Sequence, residues 1–197
     1  MSKGERTRKE IIDKAFILAG NLGLEALSIG ALAAETGLSK SGLFAHFKSK
    51  EALQLGVIEE VRTRFTNTVI RPALDASRGE PRVRAFFEHY LNWIDNNRSN
   101  GGCLLMALSH EYDDRPGPVR DKLVASQMDF QDILTRMART AQEQGYFRAD
   151  LDPEQFAFEL TAIEMGYQHQ MKFLKLANAR KYAEAAFEAL LQRSRAA

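Results

Sequence analysis

The sequence predicts an all-α protein, a three-helix N-terminal part followed by a larger helical C-terminal part, and three observations carry that prediction. Apolar residues recur at helical spacing along almost the whole chain. No segment alternates polar and apolar residues as a half-buried strand would. Glycines, prolines and cap-forming polar residues divide the helical stretches from one another. With 45% hydrophobic and 27% charged residues the chain is of ordinary globular composition, and twelve phenylalanines predict an aromatic-rich core or cavity.

Each element follows from local pattern. Ile12, Ala15, Phe16, Ala19 and Leu22 form one stripe of a first helix. Thr7 with Glu10 is a capping-box pair for its start, and Gly23 suits a left-handed cap at its end. Ser28 has N-cap chemistry for a second helix whose inner face is Ile29, Leu32 and Ala33, ended by Gly37. A short polar turn, Leu38 to Gly42, leads to Leu43, Phe44 and Phe47 at helical spacing. Ser49 starts the next helix, with Ala52, Leu53, Val57, Val61 and Phe65 following.

Longer helices come after. Val83, Phe86, Phe87, Tyr90, Leu91 and Ile94 make one apolar face, and residues 99–102 read as a loop. Cys103 to Leu108 is apolar on all sides, which predicts a short helix buried all round. Prolines and a glycine break the chain between Asp113 and Pro118. Val119, Leu123, Phe130, Leu134, Met137 and Ala141 outline a helix ending near Gly145. Asp152-Pro153-Glu154 is a strong helix start, and a last helix is expected from about Asn178 to Arg193.

The helix that starts at Asp152 carries two apolar stripes. Phe156, Leu160, Ile163, Tyr167 and Leu174 form one; Phe158, Ala162, Met165, His169, Phe173 and Leu176 form the other. Residues 156 and 158 point about 200° apart on an ordinary helix. Such a helix must be covered twice, and a partner subunit is the expected second cover. The last helix offers Ala183, Ala185, Ala186 and Ala189 for close packing beside Phe187, Leu190 and Leu191.

Charge and cysteine content exclude several classes. The net charge of +1 hides an asymmetry: residues 1–50 hold eight Lys/Arg against five Asp/Glu, a net of +3, which leaves −2 for the rest. A mildly basic N-terminal end fits nucleic-acid contact. Cys103 is the only cysteine, so an intrachain disulfide and a cysteine metal cluster are excluded. The N-terminus has no signal-peptide apolar stretch, and Cys103–Leu108, the longest apolar run, is far too short to cross a membrane. A cytoplasmic protein is expected.

The stretch SIGALAAETGLSKSGLFAHFKSKEAL (28–53) has the spacing of a helix-turn-helix, whose second helix lays its first turn against base edges in the major groove. On its outer side this second helix would carry Ser39, Lys40, Ser41, Gly42 and Ala45. Lys40 can donate to guanine O6 and N7, and Ser41 can donate or accept. Phe44 and His46 flank the helix where phosphates would pass. Ser28, Lys48 and Lys50 stand at or near helix N-termini, where amides and dipole favour a phosphate. Phe47 reads as core, while Phe44 reads equally as core or as a DNA-facing residue.

At these residues the chain resembles the DNA-binding domain of the TetR (TetR/AcrR-type) family of bacterial transcriptional regulators. The resemblance covers residues 6–53. It rests on Thr7, Arg8, Ile12, Ala15, Leu22, Gly23 and Ala26; on Ile29, Leu32, Ala33 and Gly37; and on Phe44, His46, Phe47, Ser49, Lys50, Glu51 and Leu53. It implies a DNA-binding domain at 1–50, with Arg6 and Thr7 also toward DNA, and an effector-binding and dimerisation domain at 51–197. The family usually has tyrosine where this chain has Phe44, which lacks the hydroxyl that would reach a phosphate.

The implied function is a repressor released from a palindromic operator on double-stranded DNA by a small apolar or aromatic effector. Two subunits would pair through the last two helices and set their recognition helices about 34 Å apart, one DNA turn. Candidate effector-lining residues are Phe65, Phe86, Tyr90, Trp93, Cys103, Met106, Phe130, Met137, Met165 and Tyr167, with His110, Gln168 or His169 as polar handles. Cys103 reads most simply as a small buried hydrophobe, and His110 with Glu111 as surface or hinge residues rather than metal ligands. No paired carboxylates, nucleophile–base set or phosphate loop stands out, so no enzyme, cofactor or metal is expected. The competing reading is a helical small-molecule-binding protein with weakened DNA binding, which Phe44 favours.

Overall fold

The computed structural model describes residues 2–97 and 102–196, and the loop expected at 99–102 lies outside them except for Gly102. Helices account for the described elements: α1 (Lys3–Leu22), α2 (Ile29–Thr36), α3 (Lys40–Phe47), α4 (Lys50–Phe65), α5 (Arg71–Asp75), α6 (Glu80–Asn96), α7 (Leu104–Tyr112), α8 (Pro118–Glu143), α9 (Pro153–Gln168) and α10 (Ala179–Ser194). Outside them, Phe147 and Arg195 form an isolated antiparallel bridge, and no strand occurs among the described residues. The chain divides into two compact units, residues 1–64 with 97–126, and residues 65–96 with 127–197.

In the first unit, α1 begins five residues before the expected start, with Ser2 and not Thr7 as its cap. Ser2 and Glu5 form the capping box: Ser2 Oγ accepts from the Glu5 amide, and the Glu5 carboxylate accepts from the Ser2 amide. Thr7 therefore lies inside the helix, where its hydroxyl donates to the Lys3 carbonyl at 3.1 Å. Gly23 ends α1 with φ +87° but an extended ψ of 162°, outside the left-handed helical region. Ile11, Ile12, Ala15, Phe16 and Ala19 face a core shared with Leu32 of α2, Leu43 and Phe47 of α3, and Leu53, Val57, Ile58 and Val61 of α4. Leu104, Leu108, Tyr112, Val119 and Leu123 close the same core. Arg64 fastens α4 to α1 through Asp13, with its guanidinium 4.4 Å from the Phe16 ring centroid.

The short apolar helix expected at 103–108 is longer, running from Leu104 to Tyr112, with Cys103 as its N-cap. It is not buried all round: Leu104, Met106 and Leu108 are buried, whereas Leu105 and Ala107 are half-buried.

In the second unit, Thr66–Ile70 forms a π-helical segment that joins α4 to α5. Pro72 has no N–H to continue the ordinary ladder, and the Arg71 amide bonds the Thr66 carbonyl five residues back. A second π segment, His169–Phe173, continues α9. Asp152 caps α9, accepting from the amides of Glu154 and Gln155 with Pro153 in the first turn, as expected.

The two stripes on α9 part cleanly in the structure. Phe156, Leu160 and Tyr167 are buried and Ile163 is half-buried, whereas Phe158, Ala162, Met165, His169, Phe173 and Leu176 are all exposed. Leu174, expected in the buried stripe, is 48% exposed. The π segment before it adds a residue per turn, which rotates later side chains by about 100°. On α10, Ala183, Phe187, Leu190 and Leu191 are buried, and Tyr182, Ala185, Ala186 and Ala189 are exposed.

Glu164 stands in the buried face of α9. It is 0% exposed, and neither carboxyl oxygen has a hydrogen-bond partner among the described residues. Burial pushes its carboxyl well above the ordinary 4.5. The folded chain thus keeps this proton to higher pH than the unfolded chain does. The associated stability is complete below about pH 4.5 and is lost as pH rises through the raised value. Glu164→Gln stays neutral throughout, so the variant should gain on the parent protein steadily as pH rises from about 4.5 toward the raised value. Urea unfolding across that range checks this; parallel pH profiles would contradict it.

Candidate nucleic-acid interface

The reading helix is built by two side-chain caps around a three-residue turn. Ser28 Oγ accepts from the Ala31 amide at 3.0 Å and starts α2, which Gly37 ends in the left-handed conformation (φ 68°, ψ 10°). Leu38 and Ser39 complete the turn. Ser39 Oγ accepts from the Gly42 amide at 3.1 Å, so the helix starts at Lys40. Residues 40–42, expected in a turn, are therefore the first turn of α3 itself.

Burial gives α3 two distinct faces. Leu43 and Phe47 are 1% and 3% exposed and anchor it, with the Arg8 guanidinium 4.9 Å from the Phe47 ring centroid. Ser39, Lys40, Ser41, Phe44, Ala45 and Lys48 are exposed, and Gly42 and His46 half-buried. Phe44, at 53% exposure, belongs to the outer face and not to the core. The Ser39 and Ser41 hydroxyls share a hydrogen bond of 3.0 Å, which holds Ser41 at the helix start. Lys48 closes α3 at φ 56°, an uncommon conformation for a residue with a Cβ.

The phosphate candidates differ from one another. Ser28 is exposed at the start of α2. Arg6 is exposed on α1 and lies 3.9 Å from Glu10, and Thr7 is half-buried on the same helix. Lys50 is engaged within the chain: its ammonium donates to the Glu25 carbonyl at 2.6 Å and to the Glu25 carboxylate at 2.8 Å. That hydrogen bond is the main reason the Glu25 carboxyl sits below its ordinary range. A phosphate contact by the Lys50 ammonium has to compete with Glu25.

A polar cluster missing from the sequence reading positions the segment ahead of Ser28. The Glu111 carboxylate on α7 accepts from the Leu24 amide at 2.9 Å and the Glu25 amide at 2.7 Å. Gln54 on α4 donates to the Leu24 carbonyl and to the Tyr112 hydroxyl, both at 3.0 Å. The Tyr112 hydroxyl donates to the Glu25 carboxylate at 3.2 Å, and burial, then the Glu25 charge, pushes its pKa up. Gly23 is required here twice over: its φ is +87°, and a Cβ would stand 3.0 Å from both Glu111 oxygens. No local signal identifies Glu111, because its partners are 86 and 87 residues away in sequence.

Of the effector candidates, Cys103, Met106 and His110 fall in the first unit and the others in the second. Phe65, Phe86, Tyr90, Trp93 and Phe130 come together as one aromatic cluster, with the Phe65 ring edge-on to Trp93 (5.8 Å) and Phe130 (5.6 Å). Tyr167 is buried and its hydroxyl donates to Asp95 at 2.6 Å. Met137 is buried, and beside it a shallow depression of about 200 Å³ is lined by Ile70, Leu74, Arg82 and Ile133. His110, Met165 and His169 face outward, so the expectation that they line an interior cavity is corrected. Met165 and His169 follow the outer stripe of α9, which its helical phase turns away from the core. His110 lies on the exposed side of α7.

Two short capped helices, the second held by an apolar anchor and exposing a polar face, define a helix-turn-helix DNA-binding regulator. Comparison with known proteins gives the same class. The family model for bacterial regulatory proteins of the tetR family matches residues 11–57, and that for the tetracyclin repressor-like C-terminal domain matches residues 79–187. The chain belongs to the TetR family. It is 26% identical over 165 residues to the HTH-type transcriptional repressor DhaR of Mycobacterium sp. (strain GP1), covering 84% of this chain and 82% of that one. It is 28% identical to the transposon Tn10 TetC protein of Escherichia coli over 48% of its own length, and spans about half (47%) of that relative. A TetR transcriptional regulator from Chloroflexus aurantiacus J-10-FL shares the fold with a TM-score of 0.89, at 23% identity and with 100% of both chains covered. Among the described residues no helix is long and apolar enough to cross a membrane.

Proposed function

We propose that this chain is a cytoplasmic, dimeric transcriptional repressor, held on a palindromic operator by α3 and released by a small-molecule effector. The observation that carries the reading is the division of α3 into a buried anchor, Leu43 and Phe47, and an exposed face, Lys40, Ser41, Phe44, Ala45 and Lys48. In this reading residues 1–50 bind DNA and 51–197 bind the effector and the second subunit. Repression is supported by the similarity to DhaR, named a transcriptional repressor. Dimerisation is supported by the exposed apolar stripe of α9 and the exposed alanines of α10. Release by the effector implies a coupling free energy of typically about 1–3 kcal/mol. No residue is assigned a catalytic role.

Lys40 reads bases in this account. Lys40→Ala should cost about 1–3 kcal/mol on the preferred site and relax preference at one base pair in each half-site. Titration of labelled duplexes carrying single substitutions checks this; an equal loss on every sequence reassigns Lys40 to phosphate.

The reading as a whole is tested by band shift on DNA flanking the protein's own gene. Binding should weaken steeply between about 50 and 200 mM salt, because Lys and Arg contacts to phosphate release counterions. The exposed, hydroxyl-free Phe44 favours a second reading, a helical small-molecule-binding protein with weakened DNA binding. Absence of any salt-sensitive shift would support that one.

A further inference from the structure

Glu164 is a fully buried carboxyl with no hydrogen-bond partner among the described residues. The inward face of α9 and its π continuation consists of Phe156, Ala157, Leu160, Glu164, Tyr167, Gln168 and Met171, all buried. Two hydrogen bonds bracket the turn that carries Glu164. Thr161 accepts from Gln131 of α8 at 2.8 Å, and Tyr167 donates to Asp95 of α6 at 2.6 Å. These same two helices supply Phe86, Tyr90, Trp93 and Phe130 to the aromatic cluster.

Four arginines of this unit are committed elsewhere. Arg84 pairs with Glu80 and Glu188, and Arg180 with Glu88, Asp95 and Glu184. Arg193 pairs with Glu159, and Arg195 with Glu80. Glu164 receives none of these four and no other donor among the described residues.

An ionised carboxylate in such a place is strongly unfavourable without a partner. A carboxyl offers several acceptor positions and at most one donor. The ligand that completes it best is therefore rich in donors and positively charged, and the aromatic cluster on α6 and α8, the helices bonded to α9 on either side of Glu164, suits an aryl body and a cation alike.

We infer that the second unit binds an organic monocation, an aryl-substituted amine, whose ammonium donates to the buried carboxyl of Glu164. This rests on the effector-binding reading above and specifies its ligand class.

The test uses the full-length protein and three probes with one skeleton: 4-phenylbutylamine, 4-phenylbutanol and 4-phenylbutyrate. Binding is read near pH 7 by calorimetry and by the fluorescence of Trp93, the single tryptophan. The amine should bind at least about tenfold more tightly than the alcohol, and the acid most weakly, as hydrogen bonds to a charged group imply. Glu164→Gln should cost the amine about tenfold or more and leave the alcohol within about twofold.

The inference is overturned if the alcohol or the acid matches the amine, if Glu164→Gln keeps the amine preference, or if none of the three binds at millimolar concentration. The ranking on the unsubstituted protein decides by itself should the variant not fold. DNA affinity measured with each probe separates the two claims. Amine binding that leaves DNA affinity unchanged contradicts effector release but not this inference. Release by the alcohol or the acid alone does the reverse.

Discussion

Glu111→Ala is expected to destabilise the first unit by about 2–4 kcal/mol and to weaken operator binding at the same time. Two amides, of Leu24 and Glu25, lose a charged acceptor, and each such bond is worth about 1.5–3 kcal/mol, less where water replaces it. Leu24 is fully buried, so its amide is poorly placed for that replacement. The segment so released runs straight into Ser28, the cap of α2, and α2 supports α3. Its freedom would spread the orientations of the reading helix and lower its occupancy of the bound one. Glu111→Gln keeps one acceptor oxygen and should recover part of both losses. Urea unfolding and DNA titration on the three proteins check this. Unchanged DNA affinity in Glu111→Ala would make the clamp a local feature with no bearing on the interface.

The second large effect is expected from the outer stripe of α9. Phe158 and Phe173 are 66% and 75% exposed, and Met165 lies on the same face at 39%. A charge at both phenylalanines, Phe158→Glu with Phe173→Glu, leaves the buried face of α9 intact and should not unfold the subunit. It should turn a dimer into monomers in sedimentation at micromolar concentration. Operator affinity should then fall by about a hundredfold or more, because the second half-site is no longer bound as an intramolecular event. A doubly substituted protein that remains dimeric would move the subunit interface elsewhere.

Much of this was legible in the sequence because it is local. Ser28, Gly37 and Asp152 act through residues two to four away, and each performs the capping role expected of it. The two faces of α9 were legible because helical phase alone separates Phe156 from Phe158. The start of α1 was not: Ser2 with Glu5 and Thr7 with Glu10 offer equivalent capping pairs, and the earlier pair extends the helix. Leu174 escaped because a π segment shifts the phase ahead of it. Glu164 falls one turn after Leu160 and three residues before Tyr167, a pattern that marks it as inward-facing despite its charge. The Glu111 clamp and the packing of residues 104–123 on the N-terminal helices depend on distant parts of the chain, where periodicity has no reach.

The central claim, a dimer that reads a symmetric site through α3, is tested most directly by selecting bound duplexes from a random-sequence pool. The account predicts an enriched inverted repeat with half-site centres about one helical turn, 34 Å, apart, and a changed base preference in both halves for Lys40→Ala. Recovery of no sequence above the input pool, or of a single unrepeated half-site, would contradict it.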